Sequence, residues 1–436
     1  MSQTKTPHRT SDPGPVPCDI QLMSDSKVAI IGGGLAGLAA AKALKNYGIP
    51  FTLFEASKNL GGRVQSDRHD GFILDHGFQI LLPAYPEAQA QLDLEALDLR
   101  GYLPGAIVFH HHRASLIADP FRKPSAILST AFSSVGSFAD KLKVLALRSG
   151  SKMMTYEGPS NVTALQGLRN AGFSDKMIDR FFRPFYGGIF LTADLNDVPY
   201  SFLQYLFRFF SESLASIPKN GMEAIPTQMA ADLPADSLRL RTPVKAVDVD
   251  GTIHGLDGSK LQFDHVILAV QEPAAHRLLK SNFPTPIQAR SSQTLYFSAD
   301  IAPIDEPYLV INGNAEGSGH VNHVAVPSLV QPNYAPKGKH LIAVNAVGRD
   351  AHQMTAEKAI HEVIPWFGNE ARAWKFLSAK PVYFALPRRF GSPELKSIDK
   401  VTLAGDFLET PSIQGALLSG RKAGEALALK LGGSSR

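Results

Sequence analysis

The hydrophobic pattern opens on a short continuous apolar run, Val28 to Ile31, of the length a strand buried on both faces shows. The next segment, "GGGLAGLAAAKALKNYG", places Leu35, Leu38, Ala39 and Ala43 on one side at helical spacing and ends at Gly48. "PFTLFEA" (50–56) reads as a second strand, so the three pieces form a βαβ unit. Between 243 and 270, β-rich runs are separated by Asp-Gly pairs at 250–251 and 257–258, which predicts a three-stranded meander that returns to the main sheet at "HVILAV". Residues 401–431 read as strand, loop and helix, with Ser412 as the helix N-cap. Two stretches dense in aromatics, "DRFFRPFYGGIFL" (179–191) and "YSFLQYLFRFFSESLASI" (200–217), suit a Phe-packed helical core. They also suit a greasy tunnel or a face that dips into lipid headgroups. Residues 1–26 show no periodicity and read as a flexible leader without the apolar core of a signal peptide. No uncharged apolar run reaches 18 residues, so no segment is expected to span a membrane.

Composition narrows the picture. At 436 residues the chain exceeds one compact core, and two or three units are expected at about 150 residues each. The net charge of +4 is mild and no Lys/Arg block occurs, so nucleic acid is not an expected partner. Cys18 is the only cysteine, which rules out an intrachain disulfide and fits a reducing, cytoplasmic setting, with peripheral membrane association left open. His110, His111 and His112 are consecutive, and adjacent side chains on a strand point to opposite faces. A hairpin tip is therefore expected there and no metal site.

The chemistry sits in the first turn. Gly32, Gly34 and Gly37 form G-x-G-x-x-G directly between strand and helix. Gly32 makes the tight turn, Gly34 admits a pyrophosphate, and Gly37 lets helix and strand pack closely. The N–H groups of the helix start at Leu35 and Ala36 favour the diphosphate. Glu55, followed by Ala56 at the end of the second strand, suits a ribose 2′-hydroxyl and would repel a 2′-phosphate.

Up to this point FAD and NAD both fit. "NLGGRV" (59–64) resembles the second motif of the flavin amine oxidase and phytoene desaturase superfamily, which includes protoporphyrinogen oxidase. "VTLAGD" (401–406) is similar to its last flavin motif, and "IPKNGMEAIPTQMAADLP" (217–234) to its P-x-G-G-M loop, with Asn220 in place of the first glycine. An asparagine tolerates positive φ there. The resemblance implies a non-covalently bound FAD, because no cysteine follows Cys18. It implies that Gly61, Gly62 and Arg63 lie along the cofactor, with Arg63 on phosphate, and that the Val244 backbone faces the adenine. It places Gly405 and Asp406 at the ribityl or pyrophosphate region. Ile413, Gln414 and Ala416 fall at the ring, with Gly415 allowing its close approach.

The expected fold is α/β: an FAD-binding Rossmann-like domain of glutathione-reductase type, with a discontinuous α+β substrate domain. The cofactor domain is assigned to 27–105, 215–275 and 385–436, the substrate domain to 106–214 and 276–384. The expected reaction takes a hydride from a substrate C–H to flavin N5. His76, Gln79 and Tyr186 are the candidate catalytic residues. Typical amine oxidases of the family place an aromatic before the last helix, where Ser412 stands here, and a lysine in the second inserted segment. No lysine occurs between Lys280 and Lys337. A desaturase or dehydrogenase of an apolar, isoprenoid- or carotenoid-like small molecule is therefore the first expectation. A flavin amine oxidase is the alternative, and a non-catalytic isoprenoid-binding protein of the same fold is the second. A single dinucleotide fingerprint points to oxygen or a quinone as electron acceptor.

Overall fold

The strand Val28–Ile31 pairs in parallel with Phe51–Phe54 on one side and His265–Leu268 on the other. Leu238–Arg239 and Val401–Leu403 extend this parallel sheet outward, and an antiparallel edge strand, Ser397–Ile398, completes six. In this computed structural model the described residues are 28–119, 122–126, 130, 133–151, 154–280, 289–314, 321–391 and 397–434. The leader 1–26, with Cys18, lies outside them.

Alternation along Val28–Ile31 builds two cores. Val28 and Ile30 face the first helix, Leu35–Asn46, through Leu38, Ala40 and Leu44. Ala29 and Ile31 face the opposite side, where the meander contributes Val247, Ile253 and Phe263. That meander is the antiparallel trio Val244–Val247, Thr252–Gly255 and Lys260–Gln262, with Gly251 and Gly258 in its turns at φ +94° and +86°. The first helix ends as its glycine foretold. Gly48 has φ +70°, and the Ile49 N–H returns to the Leu44 carbonyl at 2.9 Å.

The last helix, Ile413–Lys430, lies against the first one. A Cβ on Gly420 would sit 2.0 Å from the Ala36 carbonyl oxygen, and one on Gly424 would sit 2.7 Å from that of Ala40. The small residues bring the two backbones together, so the two helix starts reach the same region of the sheet's C-terminal edge.

A second sheet of seven strands draws on remote segments, in the order 375–386, 290–299, 340–347, 321–325, 309–312, 105–110 and 113–118. One face, through Leu295, Phe297, Ile342 and Val344, is covered by the helix Ala356–Phe367. The other face carries Ser292, Thr294, Tyr296 and His323, and looks toward the helices Arg183–Phe190 and Tyr200–Glu212. The histidine run ends a hairpin as expected: Gly105–His110 pairs with Arg113–Ala118, and His111 and His112 take positive φ in the two-residue turn. Among the described residues no group of His, Cys, Asp or Glu is arranged to hold a metal ion. No described helix is long and apolar enough to cross a membrane.

Candidate active site

The glycine turn is forced by backbone proximity. Gly32 has φ +106°, and a Cβ there would lie 2.5 Å from the Ala269 carbonyl oxygen. A Cβ on Gly37 would lie 1.9 Å from the Gly32 carbonyl oxygen, so the helix and strand meet with no room for a methyl group. The first helix has Gly34 as N-cap and no side-chain cap, which leaves its first N–H groups for an anion. The second motif is zipped onto this turn: the Gly61 N–H donates to the Gly33 carbonyl at 2.7 Å. A Cβ on Gly34 would meet only the Gly62 Cα, at 4.0 Å, and one on Gly62 would meet the Gly34 Cα at 3.2 Å. Two bare backbones thus face each other across a slot that side chains would fill.

Glu55 closes one end. Its Oε2 accepts the Gly33 N–H at 2.7 Å and its Oε1 accepts the Ser57 N–H at 2.8 Å, which fixes the carboxylate beside the turn. Glu55→Ala should weaken FAD binding by about 1–3 kcal/mol, the range for losing a charge-assisted hydrogen bond with its partner left behind. Titration of the apoprotein with FAD measures it, and an unchanged affinity removes Glu55 from the cofactor site.

A cavity of about 850 Å³ starts at this slot and continues into the space between the second sheet and the aromatic helices. Gly32, Gly34, Leu35 and Ala36 line it, as do Glu55, Ala56, Gly61, Gly62 and Arg63. From the far segments come Val244, Gly405, Asp406, Ile413 and Ala416. Three remote stretches therefore wall one elongated chamber.

Four assignments are corrected. Gln414 does not line the cavity: it is buried, and its Oε1 accepts the Glu87 N–H at 3.0 Å, tying the last helix to the segment at Pro86. Gly415 is a glycine for a reason other than a flat ring, since a Cβ there would lie 2.0 Å from the Thr410 carbonyl oxygen. Ser412 is the cap expected, accepting the Gly415 N–H at 3.1 Å. Gly37 likewise stands outside the lining and serves packing alone. Asn220 does not use the positive φ available to asparagine; Gly221 does, at +87°.

Arg63 and Asp406 line the chamber and hold each other. Arg63 Nη2 donates to Asp406 Oδ1 at 2.8 Å, and Nη1 donates to the Ala385 carbonyl at 2.8 Å. The candidate catalytic residues are also partly engaged. His76 Nε2 lies 3.0 Å from Asp67 Oδ2, and Asp67 also pairs with Lys380. Gln79 Nε2 donates to the Arg63 and His76 carbonyls at 2.8 and 2.9 Å, while its Oε1 is buried with no partner in the protein. Tyr186 is buried, its hydroxyl also without a partner, and burial pushes its pKa well up. All three line the cavity.

Pattern reading missed Phe78, Tyr102, Ser292 and His323, which line the inner wall. It also missed the helix Phe138–Ser151 at the mouth, where Phe138 and Leu142 are more than half exposed. No spaced motif marks any of them. The aromatic stretches did carry a signal, and Phe181, Phe185, Phe207 and Phe210 line the chamber.

The dinucleotide slot opens directly into a chamber between the second sheet and the aromatic helices, an arrangement that suits a flavoprotein. A family model for flavin containing amine oxidoreductases matches residues 35–428, and the chain belongs to that family. It is 28% identical over 176 residues to protoporphyrinogen oxidase 2 of Arabidopsis thaliana, covering 39% of this chain and 33% of that protein. The chain thus aligns with about a third of the length of its plant relatives. It is 25% identical over 374 residues to the 4,4′-diapophytoene desaturase of Staphylococcus aureus strain Newman, covering 72% of this chain and 74% of that enzyme. The fold is shared with an oxidoreductase of Methanosarcina mazei at TM-score 0.70 and 17% identity, over 91% of this chain and 99% of that one. The family is one of flavin-containing oxidoreductases, and the glycine slot, Glu55 and the uncapped helix start fit an FAD cofactor.

Proposed function

We propose that the protein dehydrogenates an apolar small molecule, isoprenoid- or carotenoid-like, as a desaturase does. The character of the chamber beyond the slot carries this reading. Aromatic and aliphatic side chains wall it, and each of the three carboxylates among its described lining residues is engaged within the protein. Glu55 is held by the Gly33 and Ser57 N–H groups, Asp119 by Arg148 at 2.6 Å, and Asp406 by Arg63. An ammonium substrate would find no uncommitted counter-charge there. Lys141 is the only lysine among the described lining residues, and it sits at the mouth helix, donating to the Ser133 carbonyl at 3.1 Å.

Bound FAD supplies a two-electron acceptor at the inner end of the slot. The chain's own residues bind, orient and exclude water. Phe181 and Phe185 stack at 5.4 Å, and Phe185 meets Phe210 edge-on at 5.5 Å, forming a dry wall along which an unsaturated chain can lie. Ile413 and Ala416 put the start of the last helix on the cavity wall, where its dipole would favour an electron-rich, reduced cofactor. Exposed Phe138 and Leu142 beside Lys141 and Arg148 support entry of substrate from a lipid surface. A single dinucleotide turn supports oxygen or a quinone as the final acceptor.

The test is anaerobic. Addition of a polyisoprenoid should bleach the flavin band near ~450 nm, which bound FAD contributes, and a panel of primary and secondary amines should not. Bleaching by amines alone would replace the desaturase reading with the amine oxidase one.

A further inference from the structure

Each carboxylate lining the chamber is engaged, but not every cation is. Asp119, Arg122, Lys141 and Arg148 line the wall beside the mouth helix Phe138–Ser151. Arg148 takes the one carboxylate among them, with Nη1 2.6 Å from Asp119 Oδ2. Arg122 is half-buried, and its hydrogen bonds go to backbone alone. Its Nη1 donates to the carbonyls of Phe210 and Ser213, at 2.9 and 3.3 Å, where the helix Tyr200–Glu212 ends. A helix C-terminus offers about half a unit of negative charge, and Arg148 also draws on this one through the Ser211 carbonyl at 3.4 Å. The corner therefore holds a guanidinium with no carboxylate of its own, among apolar side chains such as Leu142, Leu145 and Leu214. Burial pushes its pKa down, as for a charge that is not fully compensated.

The tether leaves a particular edge open. Arg122 Nε and Nη2 have no partner among the described residues, and unlike the Nε of Arg290 neither is closed off from solvent. These two N–H groups point the same way and form the fork that grips a carboxylate through both oxygens. The same chain shows this grip elsewhere: Arg421 donates from Nε to Glu87 Oε2 at 2.8 Å and from Nη2 to Glu87 Oε1 at 2.6 Å. A hydrocarbon would leave the Arg122 fork unused, and an ammonium would be repelled by it. Phe210, whose carbonyl holds Arg122, packs edge-on against Phe185 at 5.5 Å, so the fork adjoins the aromatic row.

We propose that Arg122 is the docking point for a carboxylate carried by an otherwise apolar substrate, held at the mouth while the chain extends along the aromatic row toward the slot. The proposal rests on the apolar-substrate reading and narrows it to an amphiphilic acid. Arg122 is here a specificity-determining residue, since nothing places it at the reacting carbon.

Farnesoic acid and its methyl ester share one isoprenoid chain and differ in charge at neutral pH. Each is titrated calorimetrically into the FAD-loaded protein, without lipid or detergent. The acid should bind about 10-fold more tightly than the ester, as one charge-assisted fork warrants. Arg122→Met, which keeps much of the stem, should bring the two within about 2-fold of each other by weakening the acid alone. Arg122→Lys, which keeps the charge and loses the fork, should retain part of the preference. Equal binding of both probes by the unaltered protein would overturn the docking point and leave the apolar chamber standing, and it decides the matter even if no variant folds. A preference undiminished in Arg122→Met also overturns it. A further arm uses phosphatidylglycerol vesicles: capture that is lost in Arg122→Met, with acid and ester bound equally, would give the fork to a lipid headgroup and overturn the proposal. Binding of neither probe would overturn both this proposal and the reading beneath it.

Discussion

Gly37→Ala should yield a protein that purifies largely without its flavin. The added methyl group would lie 1.9 Å from the Gly32 carbonyl oxygen, and backbone cannot step aside as the end of a long side chain can. Relief requires the first helix to move off the strand Val28–Ile31. The last helix resists that movement, because Gly420 already brings the Ala36 backbone as close as it can come. Strain of this kind costs about 3 kcal/mol. Much of it should appear as lost cofactor affinity, because the helix start that moves is the one facing the diphosphate. The expected result is an FAD dissociation constant raised on the order of 100-fold, measured by quenching of flavin fluorescence in the apoprotein. An affinity within a few-fold of the unaltered protein would show that the helix start is not held by this contact.

Arg63→Ala should destabilise the protein even before FAD is added. The Asp406 side chain is 6% exposed, and Arg63, at 26%, is its cation at 2.8 Å. Removing the arginine leaves a buried carboxylate uncompensated, a loss of about 3 kcal/mol for pairs of this kind. Asp406→Ala should cost less, because Arg63 keeps the Ala385 carbonyl and some contact with water. The double variant should then be more stable than the sum of the two single losses by about 1 kcal/mol or more. Denaturant unfolding of the four apoproteins provides the cycle. Strict additivity would mean that the pair does not act as a pair, and that Arg63 is held only for the cofactor.

The two predictions bear differently on how legible the site is in the chain. Gly37 is readable because its constraint is local: it lies five positions after Gly32, and only a glycine at that spacing lets the helix begin against the strand. The meander turns at Gly251 and Gly258 and the histidine hairpin tip are legible for the same reason, since turn chemistry is written in adjacent residues. Arg63 and Asp406 were each identified as site residues, but their direct pairing joins positions 343 apart and no spacing rule announces it. Gln414 and Gly415 show the limit from the other side. A motif gives the position of a residue along a helix, but the direction of its side chain depends on what packs against it. Here Glu87 and Thr410 had claimed those two positions.

By itself the sequence determined the dinucleotide turn with the strand and helix on either side of it, because these rest on backbone geometry and on residues a few positions apart, while the kind of cofactor came from the resemblance of three separated motifs to those of a flavoprotein family. Tertiary structure alone decided the chamber. Phe78, Tyr102 and His323 come from three segments with no shared period, and they meet only because two sheets and a layer of aromatic helices close over one space. The character of that space depends on which polar groups find partners within the fold, a property of the packed whole that no single stretch of the chain carries.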